Sequence, residues 1–143
     1  DGLSLDLALK GGGAENMSAM RMFNPSAKVD EIVEFVVDTV VNAGGRPCPP
    51  VIVGVGIGGD FELSAILAKR ALFTDSDERG ACYRGLEQDI LRRINERGCG
   101  VMGLAGSSTA LEVRILTAPC HIASLPVAVN LDCHAHRHIQ VEI

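Results

Sequence analysis

The chain has 143 residues, a formal net charge of −5 and a mass of 15.1 kDa, which fits one domain with a buried core. It contains one tyrosine, four phenylalanines and no tryptophan. Nucleic-acid-binding domains need basic surfaces and stacking side chains, so this composition excludes nucleic acid as an expected partner. No apolar run approaches the roughly 20 residues of a membrane-spanning helix. No signal-peptide pattern opens the chain, which predicts a cytoplasmic protein.

The amino-terminal third alternates between strand and helix patterns. Apolar and polar residues alternate over residues 3–9, which predicts a strand with one buried face. Residues 15–22 predict a short helical turn. Ser26 is the expected N-cap of a helix whose valines recur at helical spacing, and Gly44 is its expected end.

The middle of the chain predicts a rigid connection, a strand and a helix. Three prolines make residues 46–50 extended, and the β-branched run of residues 51–55 predicts a buried strand. Asp60 is the expected N-cap of a helix with an apolar stripe. That stripe consists of Leu63, Ile66, Leu67 and Leu72. A polar loop is expected over residues 74–84.

The carboxyl-terminal half adds one helix and three strands. The periodicity places them at residues 86–94, 111–116, 126–131 and 139–143. Intermixed strands and helices predict an α/β class. We expect a single domain over residues 1–143, with a mixed sheet and helices packed against it.

A glycine motif, Gly54-x-Gly56-x-x-Gly59, follows the predicted strand and opens the predicted helix. It matches the dinucleotide fingerprint, in which a pyrophosphate approaches a helix N-terminus. The fingerprint also needs a second strand that ends in an acidic residue, and the polar residues 74–78 follow no such strand. The motif therefore leaves three readings: a nucleotide site, a site for a smaller anion, or close packing of backbone.

Cysteines and histidines supply the other candidate groups. The five cysteines lack the dense spacing of a secreted disulfide scaffold, which favours free or metal-bound thiols: Cys48, Cys82, Cys99, Cys120 and Cys133. The proline neighbours of Cys48 suit an iron–sulfur ligand or a small buried hydrophobic residue.

All four histidines lie near the carboxyl terminus: His121, His134, His136 and His138. On a strand the last three would share one face, and on a helix His134 and His138 would stack at i, i+4. Either arrangement could bind zinc with Cys120 or His121, or the histidines could simply be solvated. His121, in a loop between strands, is an acid–base candidate or a residue without a special role. Residues 10–13 could cradle an anion or form a flexible loop.

Five strings occur together in one order: residues 10–18, 48–50, 54–59, 121–130 and 133–137. Together they resemble the α subunit of the oxygen-sensitive, iron–sulfur class I fumarases and the related L-tartrate dehydratases. Each string is weak alone, but five in register are specific. The chain opens at Asp1 without an initiator methionine, and we expect it to be the carboxyl-terminal part of such a subunit.

The resemblance implies a 4Fe–4S cluster held by three cysteines. Cys48 and Cys133 match two of them, and the third family ligand belongs to a Cys-Gln-Asp motif that this sequence lacks. The other cysteines match no family ligand: Cys82, Cys99 and Cys120. The family chemistry is reversible hydration of fumarate to L-malate, in which an iron without a protein ligand acts as the Lewis acid.

The resemblance also implies the substrate contacts and the partners. His121 matches a family histidine at the substrate carboxylate, and Gly11, Gly12 and Gly13 match backbone donors. Lys10 and Arg137 are expected to support the site. A β subunit and an oligomer are implied, and the chain alone is expected to be inactive.

The competing class is a nucleotide- or zinc-binding module without chemistry. We expect the cysteine, histidine and glycine segments to converge on one cavity, with the sulfurs of Cys48 and Cys133 roughly 6–7 Å apart.

Overall fold

The structure, a computed structural model, describes residues 2–74 and 81–143. Its strands are β1 (Ser4–Leu9), β2 (Ala19–Phe23), β3 (Val51–Gly58), β4 (Ala110–Ala118), β5 (Leu125–Asp132) and β6 (Arg137–Glu142). Its α-helices are α1 (Gly12–Glu15), α2 (Val29–Ala43), α3 (Phe61–Ala71) and α4 (Arg84–Arg97). Most of the predicted polar loop, residues 75–80, lies outside the described residues.

A four-stranded mixed sheet in the order β2-β5-β3-β4 confirms the predicted α/β class. Strand β3 pairs in parallel with β4, while β5 runs antiparallel to both β3 and β2. Helices α2 and α4 cover one face, where they share a core with Val53, Val55 and Ile115. Helix α3 covers the other face. No helix in residues 2–74 and 81–143 is long and apolar enough to cross a bilayer.

Helix α3 packs against β3 through small residues, and only part of its predicted apolar stripe is buried, because Leu72 is fully buried whereas Leu63 is exposed. Ser64 and Ala68 are buried at 0% and 1% exposure, whereas Ile66 is 43% exposed. A Cβ added at Gly54 would strike the Ala68 carbonyl, and one at Gly56 would strike the Ser64 carbonyl. These glycines therefore let the helix backbone lie directly on the strand.

The amino-terminal predictions were partly wrong. Strand β1 forms, but its predicted buried face is solvent-exposed because β1 pairs only with β6 in a two-stranded ribbon. Residues 15–22 form the end of α1 and most of β2 instead of a helical turn. The α2 N-cap is Lys28, since the Ser26 hydroxyl donates to Asn24 within a preceding turn. Gly44 ends α2 as predicted, at a φ of 58°.

The close approach of α3 to β3 gives a stability prediction. Gly56→Ala should lower the free energy of unfolding by about 3 kcal/mol, because its new Cβ meets rigid backbone rather than a flexible side chain. Gly85→Ala is the matched control, since nothing lies within 4 Å of the added Cβ in α4. There, alanine should be neutral or stabilise by up to about 1 kcal/mol. Urea unfolding of both variants measures the difference, and equal stabilities would contradict the packing argument.

Candidate functional site

Three of the predicted site segments meet at the amino-terminal end of β3. The Cys48 turn (residues 45–50) leads directly into β3. Because β5 is antiparallel to β3, Asp132 at its end pairs with Ile52 near the start of β3. This register brings Cys133 to the same edge. The backbone N–H of His134 lies 3.5 Å from the Cys48 carbonyl oxygen, and its ring Nδ1 lies 3.0 Å from the same oxygen.

The Cys48 turn is tight, which corrects the extended conformation predicted from its prolines. Cys48 has a φ of 56°, a left-handed conformation that is unfavourable for a residue with a Cβ. Its N–H donates to the Gly45 carbonyl at 3.1 Å, and the Pro49 carbonyl accepts from Met102 at 2.8 Å. The Cys48 side chain is partly buried. Hydrogen bonds from both sides therefore hold this cysteine in a strained backbone geometry.

The Cys133 turn (residues 132–136) is organised around a buried carboxylate. Asp132 is 2% exposed. Its Oδ1 accepts from the Cys133 N–H at 3.0 Å, and its Oδ2 lies 2.7 Å from Nδ1 of His136. The His136 N–H donates to the Cys133 carbonyl at 3.1 Å. The turn thus joins the end of β5 to β6 through side-chain and backbone bonds.

The glycine turn (residues 11–13) lies beside both cysteine turns. A Cβ added at Gly13 would lie 2.8 Å from the Arg46 carbonyl, so only glycine fits against the Cys48 turn. Lys10, just before the glycines, donates from Nζ to the Asn130 Oδ1 at 2.8 Å and to the Leu131 carbonyl. The lysine therefore ties the glycine turn to the end of β5.

A polar network behind the glycine turn was missed by the sequence reasoning. Asn130 is 7% exposed, and its amide donates to Glu15 Oε2 and Ser18 Oγ at 3.2 and 3.1 Å. Burial raises the pKa of the Glu15 carboxyl, but Lys69, Asn130 and Lys10 outweigh it and hold the pKa below its ordinary value. The available signal was a polar residue inside an otherwise apolar strand, because a buried amide needs partners.

His121 lies at the opposite edge of the sheet. It precedes β5, where Val127 pairs with Ile57 at the carboxyl end of β3. The eight residues of β5 span about 24 Å between this edge and the cysteine turns. His121 is exposed, and its Nδ1 accepts the Ala123 N–H at 3.1 Å. The expectation that His121 converges with the cysteines is therefore wrong within a single chain.

The nucleotide reading of the glycine motif does not fit the geometry. Gly54 and Gly56 accommodate α3, as described above. The α3 N-terminus is occupied by Asp60, whose carboxylate accepts from the Glu62 and Leu63 N–H groups at 3.0 and 2.8 Å. This confirms the predicted N-cap. The Asp60 carboxylate already occupies this helix end and would repel a second anion there.

The zinc reading also lacks its predicted geometry. Strand β6 begins only at Arg137, so His134, His136 and His138 do not share one strand face. Over residues 2–74 and 81–143, no three histidine, cysteine, aspartate or glutamate side chains are placed to hold a metal ion. Cys82 and Cys120 are exposed free thiols.

Comparison with known proteins identifies the family. The family model "Fumarate hydratase (Fumerase)" matches residues 1–142. The chain therefore belongs to the fumarate hydratase family.

Similar proteins carry the names of tartrate dehydratase subunits. The chain is 48% identical over 130 residues to the "Putative L(+)-tartrate dehydratase subunit alpha" of Methanocaldococcus jannaschii, covering 90% of this chain and 46% of that protein. It is 30% identical over 139 residues to the L(+)-tartrate dehydratase subunit alpha of Escherichia coli K12, covering 96% and 46% respectively. The chain thus spans less than half the length of these relatives.

The Glu15 network predicts a pH dependence of stability. A carboxyl with a lowered pKa stabilises the fold above the ordinary glutamate pKa of about 4.3, and the effect is lost as the pH falls through the lowered value. Glu15→Gln should therefore destabilise the chain at pH 7, and its difference from the unsubstituted chain should shrink as the pH falls below the ordinary glutamate pKa. Urea unfolding across this range tests the prediction, and a stability difference that persists at low pH would contradict it.

Proposed function

We propose that residues 1–143 form the carboxyl-terminal part of the α subunit of an iron–sulfur hydro-lyase. This enzyme adds water reversibly to the double bond of a small dicarboxylate such as fumarate. Family membership supports hydro-lyase chemistry. Relatives named as α subunits support a β subunit as the partner.

The meeting of the two cysteine turns is the observation that carries this proposal. Cys48 and Cys133 are both free and partly buried, and His134 links their turns. Thiolates are the donors that iron–sulfur clusters require, so this pair fits two of the three protein ligands of a 4Fe–4S cluster. The third ligand is expected upstream of residues 1–143, in the Cys-Gln-Asp motif that the sequence resemblance implies. When bound, such a cluster supplies an iron without a protein ligand, which polarises a C–O bond as a Lewis acid.

The glycine turn is proposed to bind a substrate carboxylate. Gly12 and Gly13 begin α1, so their N–H groups have no preceding helical carbonyl as a partner. Backbone N–H groups that face an anion favour a carboxylate over bulk water when the site is closed. The Lys10 side chain is only 13% exposed and is already bonded to β5. Its role is to hold the turn.

The proposed substrate is fumarate with L-malate, the alternatives being L(+)-tartrate or a related 2-hydroxydicarboxylate. The sequence strings suggested fumarase first, whereas the relatives' names favour tartrate. Both are dicarboxylates, so the glycine turn would serve either. Parallel rate measurements on L-malate and L(+)-tartrate, with the complete α subunit and its β partner, distinguish the two.

The cysteine assignment predicts selective loss of iron. In the complete subunit, Cys48→Ser and Cys133→Ser should each abolish the visible absorbance of the cluster and its iron content, because a hydroxyl is a poor replacement for a thiolate. Hydration activity should fall to the level of protein without iron. Iron analysis and absorbance spectra after anaerobic reconstitution measure both effects.

Cys82→Ser is the matched control, since Cys82 is an exposed free thiol outside the two turns. It should keep its iron and its activity. Iron loss in this variant, or full iron retention in Cys48→Ser, would refute the assignment.

The proposed role of His121 requires a second copy of the chain. Its imidazole could meet a substrate carboxylate only at a site other than the one formed by its own cysteine turns, because a full strand separates them. In an assembly of two chains, His121 of one copy would complete the site of the other. This agrees with the oligomer implied by the sequence resemblance.

Mixed assemblies test this arrangement. His121→Asn and Cys48→Ser subunits should each be inactive alone, since each removes one part of every site. Co-expressed, they should recover roughly a quarter of the unsubstituted activity, because half of randomly paired dimers would hold one intact site of two. If no activity returns on mixing, the two residues do not serve one site across chains.

A further inference from the structure

The Cys133 turn contains two unfavourable features at one residue. His136 has a φ of 36°, outside the comfortable range for a residue with a Cβ. Its ring Nε2 is buried and has no hydrogen-bond partner among the described residues. A turn that served stability alone would favour glycine or asparagine at this position, since both tolerate a positive φ. The histidine at this strained position therefore points to a function for the ring.

The function that we infer lies in the other ring nitrogen, Nδ1, which contacts Asp132. Nδ1 of His136 lies 2.7 Å from Oδ2 of Asp132, and an Nδ1–H at this position donates to the carboxylate. The second oxygen of Asp132 accepts the Cys133 N–H. The His136 N–H returns to the Cys133 carbonyl. Cys133 is thus held at its N–H by the Asp132 carboxylate and at its carbonyl by the backbone N–H of His136.

The same turn also fixes the other cysteine. His134, the residue after Cys133, contacts the Cys48 carbonyl through its ring and its backbone. Cys48 shares the positive φ seen at His136. We call the Cys48 and Cys133 turns, at the amino-terminal end of β3, the cysteine edge. Its two strained residues, Cys48 and His136, therefore belong to one connected set of hydrogen bonds.

We propose that Asp132 and His136 are positioning residues that fix the Cys133 thiolate relative to Cys48 before iron binds. The inference rests on the proposed function, because it assigns these residues to the two cysteine ligands. They touch the backbone of the ligand turns rather than substrate. Without the pair, Cys133 would sample several positions, and iron would be held less tightly because the ligand must be ordered on binding.

Four variants of the complete subunit separate positioning from general stability. His136→Leu removes the bond to Asp132, and His136→Gln keeps a side-chain N–H that can replace it. Ile94→Val, in the core of α4 at 0% exposure, lowers stability without touching the cysteine edge. His138→Gln alters the neighbouring ring, 4.5 Å from that of His136, and leaves the pair intact.

Two measurements report the result. The first is the rate of iron loss to a chelator, which should rise by about 10- to 100-fold in His136→Leu. It should stay within a few-fold of the unsubstituted rate in the other three variants. The second is amide hydrogen exchange in the iron-free protein. Exchange at Cys133 and His136 should accelerate in His136→Leu only, while the amides of β3 remain protected.

Each outcome decides the question. If His136→Leu loses iron no faster than Ile94→Val, or if glutamine fails to restore retention, the pair is merely structural and the inference is wrong. Faster exchange with normal iron retention leads to the same conclusion. If the unsubstituted protein binds no iron, the proposed function and this inference are both wrong. Normal iron binding that ignores position 136 overturns only the positioning role.

Discussion

The antiparallel pairing of β5 with β3 determines where every candidate group lies. Its register sets Asp132 beside Ile52 and therefore Cys133 beside Cys48, although these cysteines are far apart in sequence. The same pairing carries His121 to the other edge of the sheet. A shift of one residue would exchange the two faces of β5 and move Asn130 into the apolar core. The buried valines of β5 prevent such a shift, so packing of the core also fixes the site.

The cysteine edge holds strained backbone geometry at a cost in stability, whereas the face of the sheet under α3 is closely packed. Cys48 and His136 adopt positive φ values, and a buried carboxylate and amide must find partners in the adjoining turns. Under α3, Gly54 and Gly56 carry no side chain, so the backbone of the helix lies close to the strand. Strand β3 belongs to both regions, since α3 packs on it and the Cys48 turn leads into it. A well-packed strand thus supports the turns that carry the proposed chemistry.

The terminal ribbon of β1 and β6 shows how a correct local prediction can miss its environment. Alternation correctly indicates both strands, and paired residues such as Leu5 with Val141 and Leu7 with Ile139 share one face. That face is exposed, with Leu7 at 53% and Ile139 at 57%. Alternation shows that two faces differ, but it does not show which partner covers the apolar one. This decision belongs to tertiary or quaternary packing.

The sequence by itself determined the α/β class, the long helices, the buried strands and the cysteine strings, because these depend on local periodicity and residue chemistry. Only the tertiary structure decided that the Gly54 motif packs a helix and that the Cys48 turn is tight. It also separated His121 from the cysteines and brought Asp132 to His136. These outcomes depend on strand order and register, which join residues distant in the chain. No local pattern encodes which edge of a sheet a loop will occupy.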